Sequence, residues 1–168
     1  MPPRVILIGP PGAGKSSVGK SLARMLKEDF IDTDSVISDQ EKKSISEIFV
    51  DEGEPYFRQK EIEVLINQIK NHTGVLSLGG GAPLSDVAQN AIKDSGSIVV
   101  FLDVSLAGAA PRVGFNRDRP LLLGNPRAQW QELMNLRRPI YESLAHHCVI
   151  TDKLTPNEAA AQIVTLIA

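Results

Sequence analysis

Little in this sequence could cross-link it, sink it into a bilayer or bind it wholesale to a polyanion. It has one cysteine, Cys148, so no disulfide can close within the chain. With only His146 and His147 beside it, that thiol does not make a metal-site pattern. No apolar run approaches the length of a membrane span, and Val5–Ile8 is too short for the core of a signal peptide. A cytoplasmic protein without membrane contacts is therefore expected. Basic charge is not in excess either: 18 Lys and Arg face 20 Asp and Glu, for a net charge of −2. That balance speaks against a nucleic-acid-binding surface, so any anionic ligand must be gripped locally. No repeat, low-complexity stretch or linker divides the 168 residues, and 42% hydrophobic content fits a single soluble domain, residues 1–168, expected to be a monomer.

What is present is an alternation. Val5-Ile6-Leu7-Ile8, Phe30 to Asp34, Gly74 to Leu78, Ile98 to Leu102 and Cys148 to Ile150 read as strands. Between them lie helical patterns. Val18, Leu22, Met25 and Leu26 share one face, as do Ile62, Leu65, Ile66 and Ile69, and residues 86–94 read as a further helix. Ser44 to Glu47 and Thr155 to Glu158 are capping boxes, the second with Pro156 in the first turn, and Gly53 closes the helix that Ser44 opens. Strands alternating with helices throughout imply a parallel sheet covered on both faces.

The strongest chemical signal is Gly9-Pro10-Pro11-Gly12-Ala13-Gly14-Lys15-Ser16-Ser17, between a strand and a helix. Gly-x-x-x-x-Gly-Lys-Ser in that setting is a P-loop. Its glycines let backbone N–H groups approach phosphate oxygens, and the following helix adds its free N–H groups and positive dipole end. Gly12, Ala13, Gly14, Lys15, Ser16 and Ser17 are thus candidates to cradle ATP. Lys15 reaches the β- and γ-phosphates, and the Ser16 hydroxyl ligates Mg²⁺. GTPases, transport ATPases and small-molecule kinases share this loop, so it does not choose among them.

Other residues narrow the choice. Asp32 and Asp34, two apart on an extended segment, would face one side at a strand's C-terminal end; one can support Mg²⁺ through water while the other takes a proton from an attacking hydroxyl. Arg58 shares the apolar face of its helix with Ile62, Leu65, Ile66 and Ile69. Arg137 is the only charge on the stripe Trp130, Leu133, Met134, Arg137, Tyr141, Leu144, and Arg138 points elsewhere. Two inward arginines need anions, and a substrate carboxylate is one that a guanidinium grips with two bonds. Gly79-Gly80-Gly81 after a strand brings backbone close to something. Arg117 and Arg119 lie in a loop at about 114–126 framed by glycine and proline, able to close over phosphates. Asp103, at the end of the Ile98 run, reads as a strand-end residue or helix cap rather than a magnesium aspartate.

Together these residues resemble the shikimate kinase family, over nearly the whole chain and in the family's order. The carriers are Gly-x-x-x-x-Gly-Lys-Ser at 9–16, Asp-Thr-Asp at 32–34, Phe57-Arg58, Gly-Gly-Gly at 79–81, Arg119-Pro120-Leu121-Leu122 and Arg137-Arg138-Pro139-Ile140-Tyr141. The resemblance implies a nucleoside-monophosphate-kinase-like three-layer α/β/α sandwich on a five-stranded parallel sheet. It implies transfer of the γ-phosphoryl of ATP to the 3-hydroxyl of shikimate, giving shikimate 3-phosphate and ADP on the chorismate route to aromatic amino acids. By the same likeness Asp34 contacts the substrate hydroxyls and serves as base, and Lys15 and Arg119 contact the phosphates. Arg58 and Arg137 hold the shikimate carboxylate, and Gly80 and Gly81 back the ring. Ser16 binds Mg²⁺ directly and Asp32 binds it through water. Residues 114–126 form the lid, and residues at about 35–62 form a substrate-binding helical segment. Arg112 is in register for an arginine lying against adenine, although Pro111 is expected to interrupt its helix. Position before Pro120 favours Arg119 over Arg117 as the phosphate ligand.

Rivals differ at readable places. Gluconate kinase is similar in size and loop but lacks this triple glycine with Arg-x-Pro-x-Tyr. Adenylate kinase has a much alike loop and would use an acceptor site built for a second nucleotide. A GTPase switch would carry Asn-Lys-x-Asp, which is absent, and an inactive nucleotide binder would be expected to lose Asp34 or a lid arginine.

Overall fold

The computed structural model describes residues 2–114 and 125–168. Arg117, Arg119, Pro120 and most of the expected lid lie outside the described residues. The chain order is β1 (Val5–Ile8), α1 (Lys15–Leu26), β2 (Phe30–Asp32), α2 (Thr33–Glu41), α3 (Ile45–Glu52) and α4 (Glu54–Asn71). It continues through β3 (Val75–Ser77), a 3-10 turn (Ala82–Leu84), α5 (Asp86–Asp94), β4 (Ile98–Asp103), α6 (Leu106–Val113), α7 (Pro126–Leu144), β5 (His147–Ile150) and α8 (Pro156–Ile167).

The five strands form one parallel sheet in the order β2-β3-β1-β4-β5. β1 is central because both its faces and both its edges are covered: Val5, Ile6, Leu7 and Ile8 are all fully buried. It pairs with β3 through Val5 opposite Val75 and with β4 through Val5 opposite Ile98. The chain builds one side of β1 through β2 and β3, then crosses to build the other. The C-terminal end of β1 is thus a topological switch point, where open α/β sheets bind ligands.

Helices cover both faces. Gly19 of α1 lies against Leu7, close enough that a Cβ there would sit 3.3 Å from it. Tyr141 of α7 packs on Phe101, ring centroids 5.2 Å apart. Phe101 is registered with Ile8, one position beyond Leu7, so α1 and α7 lie on opposite faces. α8 packs beside α1. The main core is aliphatic around the sheet. A second small core of Ile37, Ile48, Phe57 and Val64 joins α2, α3 and α4 beside the site. Among the described residues no helix is long and apolar enough to cross a membrane.

Four local expectations need correction. The strand expected over Phe30 to Asp34 stops at Asp32, which caps α2 by accepting from the backbone N–H groups of Asp34 and Ser35. Asp34 is therefore helical, and capping rather than strand alternation aims it. The innermost face of α4 is Phe57, Glu61, Val64, Leu65 and Ile69, with Ile62 and Ile66 only half-buried. Pro111 does not end α6, which runs to Val113; its ring lies on the exposed side, so the helix loses one hydrogen bond there without a clash inside the core. Met25 is also exposed rather than part of the α1 core face.

Candidate active site

The carboxyl end of β1 opens into the P-loop, over a cavity of about 560 Å³. Its wall brings together Gly12, Ala13, Gly14, Lys15, Ser16, Ser17, Asp32, Asp34, Gly79, Gly80 and Arg112. Gly14, at φ 91°, serves as the N-cap of α1, a conformation a side chain would strain, and it points the helix N-terminus into the cavity. Lys15 Nζ donates to the carbonyl oxygens of Gly9 at 2.7 Å and Pro10 at 3.0 Å. Burial lowers the pKa of that ammonium to about 8, with Asp34 and Asp32 opposing the shift and Arg137 adding to it.

The two carboxylates differ in their duties. Asp32 is spoken for: one oxygen caps α2 and the other accepts from the Ser16 hydroxyl at 2.5 Å. This hydroxyl–carboxylate pair offers only hard oxygen donors at the edge of the cavity. Asp34 instead has its carboxylate pressed against Gly79. Burial raises its pKa above the usual carboxylate range, and the charge of Asp32 raises it further, against Lys15 and Arg58.

The triple glycine has a separate reason at each position. A Cβ at Gly79 would lie 2.6 Å from Asp34 Oδ1. One at Gly80 would lie 3.2 Å from both the Arg137 guanidinium and the Pro11 ring. One at Gly81 would lie 2.4 Å from the Arg58 guanidinium. The run is held from outside as well: Gly79 N–H donates to the buried Thr33 hydroxyl, and Tyr141 donates its hydroxyl to Gly80 O at 2.7 Å. Burial pushes the Tyr141 phenol up to about 12, so it stays a donor. Gly79→Ala should cost little stability, because the obstructed atom is the tip of a flexible side chain. It should lower kcat by about 100-fold, the usual loss for a misplaced reacting group. Thermal melting beside steady-state kinetics checks both halves.

The two inward arginines part company. Arg58 reaches Glu61 at 2.9 Å and Glu54 at 3.3 Å. Glu61 is 3% exposed, and sequence reasoning missed it, although its place three residues after Arg58 was a readable helical ion-pair spacing. Arg137 is 8% exposed, makes no ion pair among the described residues, and its Nε is buried with no hydrogen-bond partner there. Arg138, its neighbour, grips Asp103 with two bonds of 2.8 and 3.0 Å. Asp103 is thus a strand-end ion-pair partner, and Ser105 is the residue that caps α6. Arg112, despite Pro111, lines the cavity and donates to Gly12 O at 3.0 Å and to Thr151 O at 2.7 Å. Thr151, also missed, sits 2% exposed beneath the P-loop.

A P-loop at the switch point of a 2-3-1-4-5 parallel sheet, beside a half-buried carboxylate and a buried arginine that makes no ion pair among the described residues, defines a kinase of small anionic molecules. Comparison with known proteins narrows this further. The family model for shikimate kinase matches residues 11–168. A shikimate kinase of Thermobifida fusca is 48% identical over 161 residues, covering 96% of this chain and 92% of that protein. One of Salinispora arenicola is 45% identical over 168 residues, covering 100% of this chain and 99% of that protein. A solved shikimate kinase of Acinetobacter baumannii in complex with shikimate superimposes with a TM-score of 0.93 at 34% identity, covering 99% of this chain and 93% of that one. The chain belongs to the shikimate kinase family, enzymes that phosphorylate shikimate with ATP.

Proposed function

We propose that this chain transfers the γ-phosphoryl group of ATP to the 3-hydroxyl of shikimate, with Asp34 as the proton acceptor and Arg137 as the principal carboxylate ligand. The observation that carries the reading is the buried guanidinium of Arg137, one glycine away from the P-loop, which makes no ion pair among the described residues and whose Nε has no hydrogen-bond partner there. A buried cation without a counter-charge is costly, and a substrate carboxylate would supply one. Arg58, already neutralised by Glu61, then serves as a second, more adjustable ligand, and Gly80 and Gly81 leave room for the ring. Gly12 to Ser17 bind the phosphates, with Arg112 at the base end of the same cavity.

Phosphoryl transfer asks for positioning and charge stabilisation more than covalent help. Asp34 orients the hydroxyl and accepts its proton; the raised pKa makes it a better acceptor than a solvated aspartate. Lys15 leaves the Gly9 and Pro10 carbonyls for the phosphates. Arg119, by the family likeness, adds charge at the phosphates. Magnesium fits the oxygen-only pair of Ser16 and Asp32, a cation that keeps most of its shell as water and phosphate oxygens. When bound it neutralises charge on the phosphates. The reading is of a monomer working in the cytoplasm on two small molecules, ATP and shikimate.

A coupled ADP-release assay with ATP and Mg²⁺ tests it, with shikimate, gluconate or AMP as acceptor. ADP release should depend on shikimate alone. Release with gluconate or AMP instead would keep the kinase and discard the acceptor.

A further inference from the structure

Every carbonyl of the P-loop from Gly9 to Ala13 meets a side-chain donor. Lys15 serves Gly9 and Pro10, and Arg112 serves Gly12. The Trp130 indole Nε1 donates to Pro11 O at 2.9 Å, and the Thr151 hydroxyl donates to Ala13 O at 2.8 Å. A carbonyl held by a donor fixes its peptide plane and with it the direction of the N–H on the other side, which is what an anion-binding loop needs. Two of these donors have other business: Lys15 goes to the phosphates, and Arg112 is exposed. Trp130 is 2% exposed and has no such second task.

The Pro11 carbonyl is the sensitive one. Ala13 N–H donates to Pro10 O at 3.2 Å, so residues 10–13 form a β-turn. Gly12 has φ 86°, the type II form with proline and glycine at its centre. Type I differs by a flip of the Pro11–Gly12 peptide plane, which glycine permits easily. That flip would turn the Gly12 N–H away from the cavity. Pro11 has no N–H, so Gly12 supplies the first backbone donor at the centre of this turn.

We propose that Trp130 is a positioning residue for nucleotide binding: its indole N–H locks the Pro11–Gly12 peptide in the type II orientation and so aims the Gly12 N–H at the phosphates. The inference rests on the P-loop holding ATP, as the functional reading has it. Trp130 lies in α7, on the same stripe as Arg137 and Tyr141, so one helix holds the phosphate loop at one end and the Gly80 carbonyl at the other.

The chain has one tryptophan, so replacing tryptophan biosynthetically alters this position alone. Benzothienylalanine keeps the shape of the ring and puts sulfur where the N–H was. It should raise KM for ATP about tenfold, the order expected for losing one partly buried hydrogen bond, with KM for shikimate unchanged and kcat little altered. 7-Azatryptophan, which retains the N–H, should restore KM for ATP. Trp130→Phe should repeat the benzothienylalanine result if it folds, and the isostere decides if it does not. KM for ATP within twofold of the unsubstituted protein overturns the proposal, as does an equal rise in both KM values. Failure of the functional reading is distinguishable, since it would appear as absent shikimate-dependent turnover in the unsubstituted protein.

Discussion

Asp34→Asn should lower kcat by about 10²–10⁴-fold, the range that a positioned proton acceptor contributes, while ATP binding persists. The substitution keeps the volume that Gly79 was left bare to admit, so the site should not collapse. It removes the one carboxylate of the pair that is free to act, since Asp32 is committed to Ser16 and to the start of α2. The acid limb of the wild-type pH–kcat profile should lie above the ordinary carboxylate range. The base must be ionised to work, and burial holds its proton to higher pH. Asp34 also helps keep Lys15 charged, so ATP affinity in the variant is best compared by calorimetry well below pH 8. Turnover near wild type in Asp34→Asn would remove Asp34 from the mechanism.

Arg137→Ala should raise KM for shikimate by about 10²–10³-fold, the scale for losing a desolvated charge-assisted contact, with far less effect on KM for ATP. Arg138→Ala, one residue along, should leave KM for shikimate within a few-fold. Its guanidinium is tied to Asp103 and half-open to solvent, so its loss should show as a modest fall in melting temperature. The pair is a strong control because the two residues share chemistry, helix and neighbourhood and differ only in which way they face. Equal effects of the two substitutions on KM for shikimate would sink the assignment of the carboxylate to Arg137.

That difference in facing is legible in the sequence, because helical periodicity is local: the stripe from Trp130 to Leu144 fixes where Arg137 points. The P-loop was legible for the same reason, with strand, glycines, lysine and helix contiguous. The five-stranded sheet follows from the alternation together with the family resemblance. What escaped was set by contacts between distant segments. Glu61 has a readable spacing to Arg58, but its burial depends on how α4 packs over α2 and α3. The tie between Trp130 and Pro11 spans 119 positions, and nothing near either residue announces it. Asp34 was misread by one structural step. The apolar pair Phe30-Ile31 suggested a longer strand, whereas the Asp32 side chain captures the next N–H groups and starts a helix. Pro111 misled because proline inside a helix is harmful chiefly where its ring is confined, and here it is exposed.

The resting place of Lys15 has a consequence in protons. With its pKa at about 8, a good part of the unliganded enzyme at that pH holds a neutral amine on the Gly9 and Pro10 carbonyls. A triphosphate favours the ammonium, so the bound form carries more protons than the free one around and above pH 8. Capturing the nucleotide there means withdrawing a proton from the solvent, and affinity falls as the pH climbs through that range. Well below it the amine is already charged and the two events separate. On the proposed role, the loop is therefore also a device that exchanges hydrogen ions with its surroundings, set by how deeply one lysine is buried.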